Sequence, residues 1–318
     1  MQNLTYFDDP DRLDRRRVLR LIAGLSSGAL LAGCGGGGAG GGDDPVASPP
    51  VAAPPSAAQP APVASPAHPL NLPLTLAYLG GQYFSYAARG TSLPGVLTGG
   101  GASAVTGARR LDFSDSSVAR LAADMADDKA AHITALRGQI GATAPAQPAI
   151  DLSASAGGPF SLAAQRAGIV STGQSFDPYA DETHFLIGAL LLENAVAATY
   201  RRLLMVEQDA ASGVIVAGHL ADSIYHGGVI RALLADRAAA TPDVDAMLTR
   251  IGTMLAALDG TAGSDQILPG GDANSSNLLD AEGRPIPFTR TDRQVLSALY
   301  LSSAGPGGFL PQGVPGIA

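Results

Sequence analysis

The chain predicts an all-α fold, a four-helix bundle of two helix pairs joined by a long crossover. Three observations carry that expectation. From residue 70 onward the composition is rich in Ala and Leu, with no Trp and few β-branched runs, which favours helices. Four long stretches place apolar residues at helical spacing. A connection of 39 residues, 141–179, separates the second stretch from the third, the spacing of a crossover bundle rather than of up-and-down neighbours.

The first helix is expected over 70–89, with Leu72, Leu76, Leu79 and Tyr83 along one face. The second spans 116–140, carrying Val118, Leu121, Met125, Ile133 and Leu136. Asp115 and Ser116 supply N-cap chemistry there, and Gly138 or Gly141 a stop. The crossover contains Gly157-Gly158-Pro159 and a short helix at 161–168. The third helix is expected over 180–207, the fourth over 209–237 and an extra one over 242–258. Residues beyond 260 form an irregular tail with an amphipathic turn or two at 292–301.

The front of the chain has the composition of an address and a tether, not of a core. Arg15-Arg16-Arg17-Val18-Leu19-Arg20 resembles a twin-arginine export signal. The weakly apolar run that follows, 18–33, is shorter than the about 20 residues of a membrane-spanning helix. It ends at Leu31-Ala32-Gly33-Cys34, which looks like a lipobox whose thiol takes a lipid. Cys34 is the only cysteine, so a disulfide within the chain is excluded, as is a multi-cysteine zinc cluster. Residues 35–69 are Gly, then Pro, Ala and Ser, a composition that buries too little apolar surface to order itself. The expected organisation is therefore a signal over 1–34, a tether over 35–69, a bundle over 70–259 and a tail over 260–318. Export would place the body on the periplasmic face of the cell envelope, held to the membrane through Cys34. The net charge is −8, and losing the four Asp and five Arg before Cys34 takes it to −9. An acidic body is a poor partner for phosphate backbones, so nucleic-acid binding is not expected.

Several segments together resemble the bacterial ferritin-like domain proteins related to desiccation-related proteins. They include Leu74-Thr75-Leu76-Ala77-Tyr78-Leu79, Ala131-His132-Ile133, Phe176-Asp177-Pro178-Tyr179, Leu192-Glu193 and Tyr225-His226-Gly227-Gly228, with Gly307-Gly308-Phe309-Leu310-Pro311 in the tail. The resemblance implies a ferritin-like bundle with a di-iron carboxylate site. Such sites take one Glu from each of two helices and a Glu-x-x-His pair from each of the other two. Two iron ions need several anionic oxygens to offset their charge.

This sequence departs from that pattern. The first helix carries Ala77 and Gly80 where the family is acidic. Lys129 stands three residues before His132, and Ser223 three before His226. His132, Glu193 and His226 remain, a residual set for one metal at most. An unpaired buried Glu is costly, so Lys129 is expected to contact Glu193 in place of iron. A shifted site from His219, Asp222 and His226 is also open, because residues four apart on a helix diverge by about 40°. Asp128, four before His132, has the same relation to its histidine. The plainer expectation leaves both Asp side chains on a solvated face. Tyr83, Tyr86, Tyr200 and Tyr225 are expected as core aromatics, and His184 as a first-turn surface residue.

The expected function is a non-catalytic structural, binding or stress role, with no cofactor required. The alternative is a metal-binding protein or oxidase that uses the remaining ligands with iron or another divalent metal. A third reading has the tail, 260–318, docking onto a related ferritin-like chain, and a homo-oligomer stays open.

Overall fold

The computed structural model describes residues 68–206, 209–259 and 290–317. The expected signal, Cys34, the tether up to residue 67 and residues 260–289 of the tail lie outside the described residues.

Eight helices are present among the described residues. They are α1 (Asn71–Arg89), α2 (Gly95–Thr98), α3 (Ser116–Ile140), α4 (Pro159–Arg166), α5 (Glu182–Val206), α6 (Ala210–Ala240), α7 (Pro242–Asp259) and α8 (Asp292–Tyr300). The four long helices expected from periodicity are α1, α3, α5 and α6, with ends shifted by at most three residues. The caps explain where they start and stop. Asp115 accepts from the N–H groups of Ser117 and Val118 at the start of α3, and Asp209 accepts from Ser212 at the start of α6. Gly90 ends α1 in the left-handed region at φ 72°, its N–H returning to the Tyr86 carbonyl.

The bundle is two pairs: α1 packs chiefly on α3, α5 on α6, and α1 also meets α5. Helix α1 is buried on nearly every side from Asn71 to Ala87. Its polar residues are few, and two of them, Gln82 and Ser85, are bonded internally. Gln82, for example, donates to Gln147 Oε1 at 2.6 Å and accepts from the Leu93 N–H at 3.2 Å. The crossover and the connection before α3 share a feature that periodicity did not anticipate. Two short strands, β1 (Val105–Thr106) and β2 (Ile150–Asp151), pair in parallel with Val105 opposite Ile150. Two residues are too short a run for an alternating pattern to register in sequence.

An aromatic cluster anchors the α1–α5 contact. The Tyr83 ring lies parallel to Phe185, 5.3 Å between centroids, with Phe84, Phe160 and Tyr179 around it. The Tyr83 hydroxyl donates to the Phe185 carbonyl at 2.9 Å. Gly188 makes this approach possible, because a Cβ there would sit 2.5 Å from the Tyr83 hydroxyl oxygen and 3.1 Å from the Phe160 ring.

The tail is not a loose extension. Helix α8 opens with a capping box between Thr291 and Gln294 and packs on α7 and α5. Phe309 and Leu310 are fully buried, Phe309 edge-on to Phe160 at 4.8 Å, and its carbonyl accepts from the Asp151 N–H. The boundary expected at residue 260 therefore leaves part of the core in the tail. Residues 290–317 are packed on their own domain. Apolar burial explains the difference: Val295, Leu299, Phe309 and Leu310 are few and scattered, and only the tertiary fold collects them.

Candidate functional site

Each long helix contributes inward residues to one region of the core. Helix α1 brings Ala77 and Gly80, α3 brings Lys129 and His132, α5 brings Glu193, and α6 brings His219, Ser223 and His226, all of them buried. The three-residue spacing of Lys129 with His132, and of Ser223 with His226, sets each pair on one helical face.

Lys129 and Glu193 meet. The ammonium nitrogen lies 2.7 Å from Glu193 Oε1 and donates a hydrogen bond to Oε2 at 2.9 Å. The two side chains are 0% and 1% exposed. The contact depends on Gly80, since a Cβ there would lie 3.3 Å from Lys129 Cε and 3.7 Å from Glu193 Oε1. The lysine methylenes thus run through the space that a side chain from α1 would take. A carboxylate at 80 and a lysine at 129 compete for that space.

The imidazoles are held by carboxylates from the opposite helix. His132 Nε2 lies 3.1 Å from Asp222 Oδ2, and His226 Nε2 lies 2.9 Å from Asp128 Oδ2. Spacing left each Asp free to share a face with the histidine four residues on in its own helix, and the structure pairs each with the histidine of the other helix instead. Side chains four apart both point away from the same axis, whereas a ring reaching outward meets the neighbouring helix first. The crossed pairing corrects the solvated-face expectation in part: both carboxylates are about half exposed, yet each has an imidazole partner. The hydrogen bond to His132 holds Asp222 below the usual carboxylate range. A carboxylate that accepts at Nε2 leaves Nδ1 as the unprotonated nitrogen of a neutral ring. Burial, ahead of the opposing Asp222 bond, lowers the His132 value and favours that neutral form. Both Nδ1 atoms are buried without a hydrogen-bond partner, as is Ser223 Oγ. His226 Nδ1 stands 3.9 Å from Glu193 Oε2.

A second layer lies beside this one. His219 stacks on His132 with centroids 3.9 Å apart, and its Nδ1 lies 3.0 Å from the Tyr200 hydroxyl. Burial, with His132 and Lys129 nearby, pushes His219 down to about 3, and burial pushes Tyr200 up. Tyr200 was expected only as a core aromatic. Its seven-residue offset from Glu193, two turns on one face, was the available signal for its place here. Tyr83 is buried as expected, but Tyr225 is 65% exposed and is no core aromatic. His184 is bound to Asp181 at the start of α5, as a first-turn residue.

The residues present do not fit a di-iron centre. The buried anions near the two inward imidazoles amount to Glu193, and an ammonium already holds it. Among the described residues no group of three or more His, Cys, Asp or Glu converges on a point that would hold a metal ion. The shifted set does not assemble either: Asp222 turns to His132 and His219 to Tyr200, so neither converges with His226. The imidazoles are oriented through Nε2 by carboxylates, an outer support of the kind that fixes a tautomer, around a centre whose one buried carboxylate is Glu193.

Two helix pairs joined by a crossover, with imidazole and carboxylate side chains turned into the core, define the class of helical bundle built around an internal carboxylate site. The family model of the ferritin-like domain matches residues 66–236, just over half of the chain, and the chain belongs to that family. Comparison with curated proteins and with solved structures finds no match.

Proposed function

We propose that this chain is an envelope-displayed ferritin-like protein in which an ion pair stands in for the metal, serving a structural or binding role without turnover. The Lys129–Glu193 pair at the centre of the bundle carries the reading. An ammonium there repels a dication and neutralises the one buried carboxylate that would attract it. Arg15-Arg16 and the Leu31-Ala32-Gly33-Cys34 sequence support export and lipid attachment, and the resemblance to desiccation-related proteins supports a stress role.

The two inward Nδ1 atoms favour a second reading, in which the bundle keeps enough of its outer support to bind metal. One experiment separates the two. The full chain with Cys34→Ser, which removes the candidate lipid site, is purified under native conditions, and iron, zinc and manganese are quantified. The expected result is no stoichiometric metal in this protein, and recovery of iron in the same chain carrying Lys129→Glu with Ser223→Glu. Those two changes restore a carboxylate three residues before each histidine. A full equivalent of metal in the unaltered core would end the ion-pair reading.

A further inference from the structure

The outward face of α6 is apolar, and nothing within the described residues covers it. Of the seven large apolar side chains that are exposed among the described residues, six lie at the end of α5 or on α6: Leu204, Met205 and Val206, then Val214, Ile224 and Tyr225. Between Asp209 and Arg231 the charged or imidazole residues of α6 are His219, Asp222 and His226. The two histidines are buried and Asp222 is bound to His132. Gly218 and Gly228 lie on the same exposed face, and a Cβ at either would meet no atom of the fold. Glycine inside a helix costs about 1 kcal/mol relative to alanine. No contact among the described residues uses that loss.

We propose that this face joins a second copy of the chain, with α6 packed antiparallel on α6 across a two-fold axis. The order of side chains is what selects this occupant. An axis passing between positions 219 and 220 sets Gly218 against Ala221 of the other copy, Val214 against Tyr225, and Ala211 against Gly228. Small residues then fall at the closest crossing, and large residues flank it on both sides. One patch complements itself, as a two-fold interface requires. Two copies of net charge −8 repel each other over most of their surfaces, and the one carboxylate of α6 on this face, Asp222, is half exposed and bound to His132. From 211 to 228 the helix runs about 27 Å and is about 10–12 Å wide. With the Leu204–Val206 turns added at both ends, the contact falls at the low end of stable interfaces, about 600 Å² per copy. That size corresponds to a reversible dimer.

The test uses the full chain with Cys34→Ser, which leaves no other cysteine. Sedimentation equilibrium is expected to show a mass twice the 31.9 kDa of one chain. Tyr225→Glu is expected to weaken the dimer about a hundredfold, with an unchanged helical spectrum because the residue is exposed in the single chain. Gly218→Cys with Ala221→Cys is expected to cross-link the dimer on mild oxidation, and Val96→Cys, on α2, is expected not to. A monomer at every concentration up to the millimolar range overturns the proposal. So does a dimer indifferent to Tyr225→Glu that does not cross-link. A monomer that floats with phosphatidylcholine vesicles through this face also overturns it, assigning the patch to lipid.

Discussion

Replacing Lys129 with Met is expected to lower the stability of the fold by about 3–5 kcal/mol, the cost of leaving one partner of a buried pair without the other. Glu193 is 1% exposed, and its one charged hydrogen-bond donor is the lysine. His226 Nδ1, at 3.9 Å, is too far to take over that bond. The methylenes of Met fill most of the path past Gly80, so lost packing is a minor part of the effect. Adding Glu193→Leu to Lys129→Met is expected to recover most of the loss, because an apolar pair of similar volume carries no desolvation cost. Urea unfolding of the single and double variants measures the coupling directly. A single variant that loses less than about 1 kcal/mol would mean that the pair is solvated, and the ion-pair account of the core would not stand.

Acid is expected to unfold this protein well above the pH at which its carboxylates protonate. His219 is held down to about 3 by burial first, then by His132 and Lys129, with Asp222 opposing; His132 is lowered too, again by burial first. A base with a lower value in the fold than in the free chain binds its proton more weakly when folded. As pH falls, the unfolded chain takes up protons first and gains population. The stability is therefore complete above about 6.5 and is lost from there down toward the folded value. Each unit of pH in that window costs about 1.4 kcal/mol per imidazole, so going from about pH 6.5 to about 4.5 removes roughly 2–3 kcal/mol through His219 alone. At lower pH a second loss begins, since Asp222 is held below its ordinary carboxylate value and loses its contribution on protonation. Urea midpoints followed by helical circular dichroism across this range measure the slope. His219→Leu with Tyr200→Phe, which removes the imidazole without stranding the hydroxyl, is expected to flatten it. An unaltered chain with a flat profile between neutrality and about pH 4.5 would show the imidazoles to be solvated.

The two expectations concern the same few residues, and those residues differ in how far sequence could place them. Lys129 and Glu193 were legible as partners, because a basic residue stood at a carboxylate position and one Glu remained without its usual company. The crossed His–Asp pairs were not. Asp128 and Asp222 each sit four residues before a histidine, and one-dimensional spacing pairs them within their own helices. The His219–Tyr200 contact was hidden for a similar reason: it joins α5 to α6, and its only trace is an offset from Glu193 that many core tyrosines share.

Helix periodicity and capping determined the secondary structure of this protein by themselves: α1, α3, α5 and α6 follow apolar spacing that each segment carries locally, and all but α1 begin at a side-chain cap. Sequence also determined which ionisable residues stand at the centre, Lys129, His132, Glu193 and His226, which is a matter of residue identity alone. The tertiary structure decided what depends on neighbours distant in the chain. It put Phe309 and Leu310 into the core, turned each imidazole to the opposite helix and left Val214 and Tyr225 on an uncovered face. Local propensity fixes a helix because its hydrogen bonds close within four residues, whereas the direction a side chain faces is set by whichever helix packs beside it.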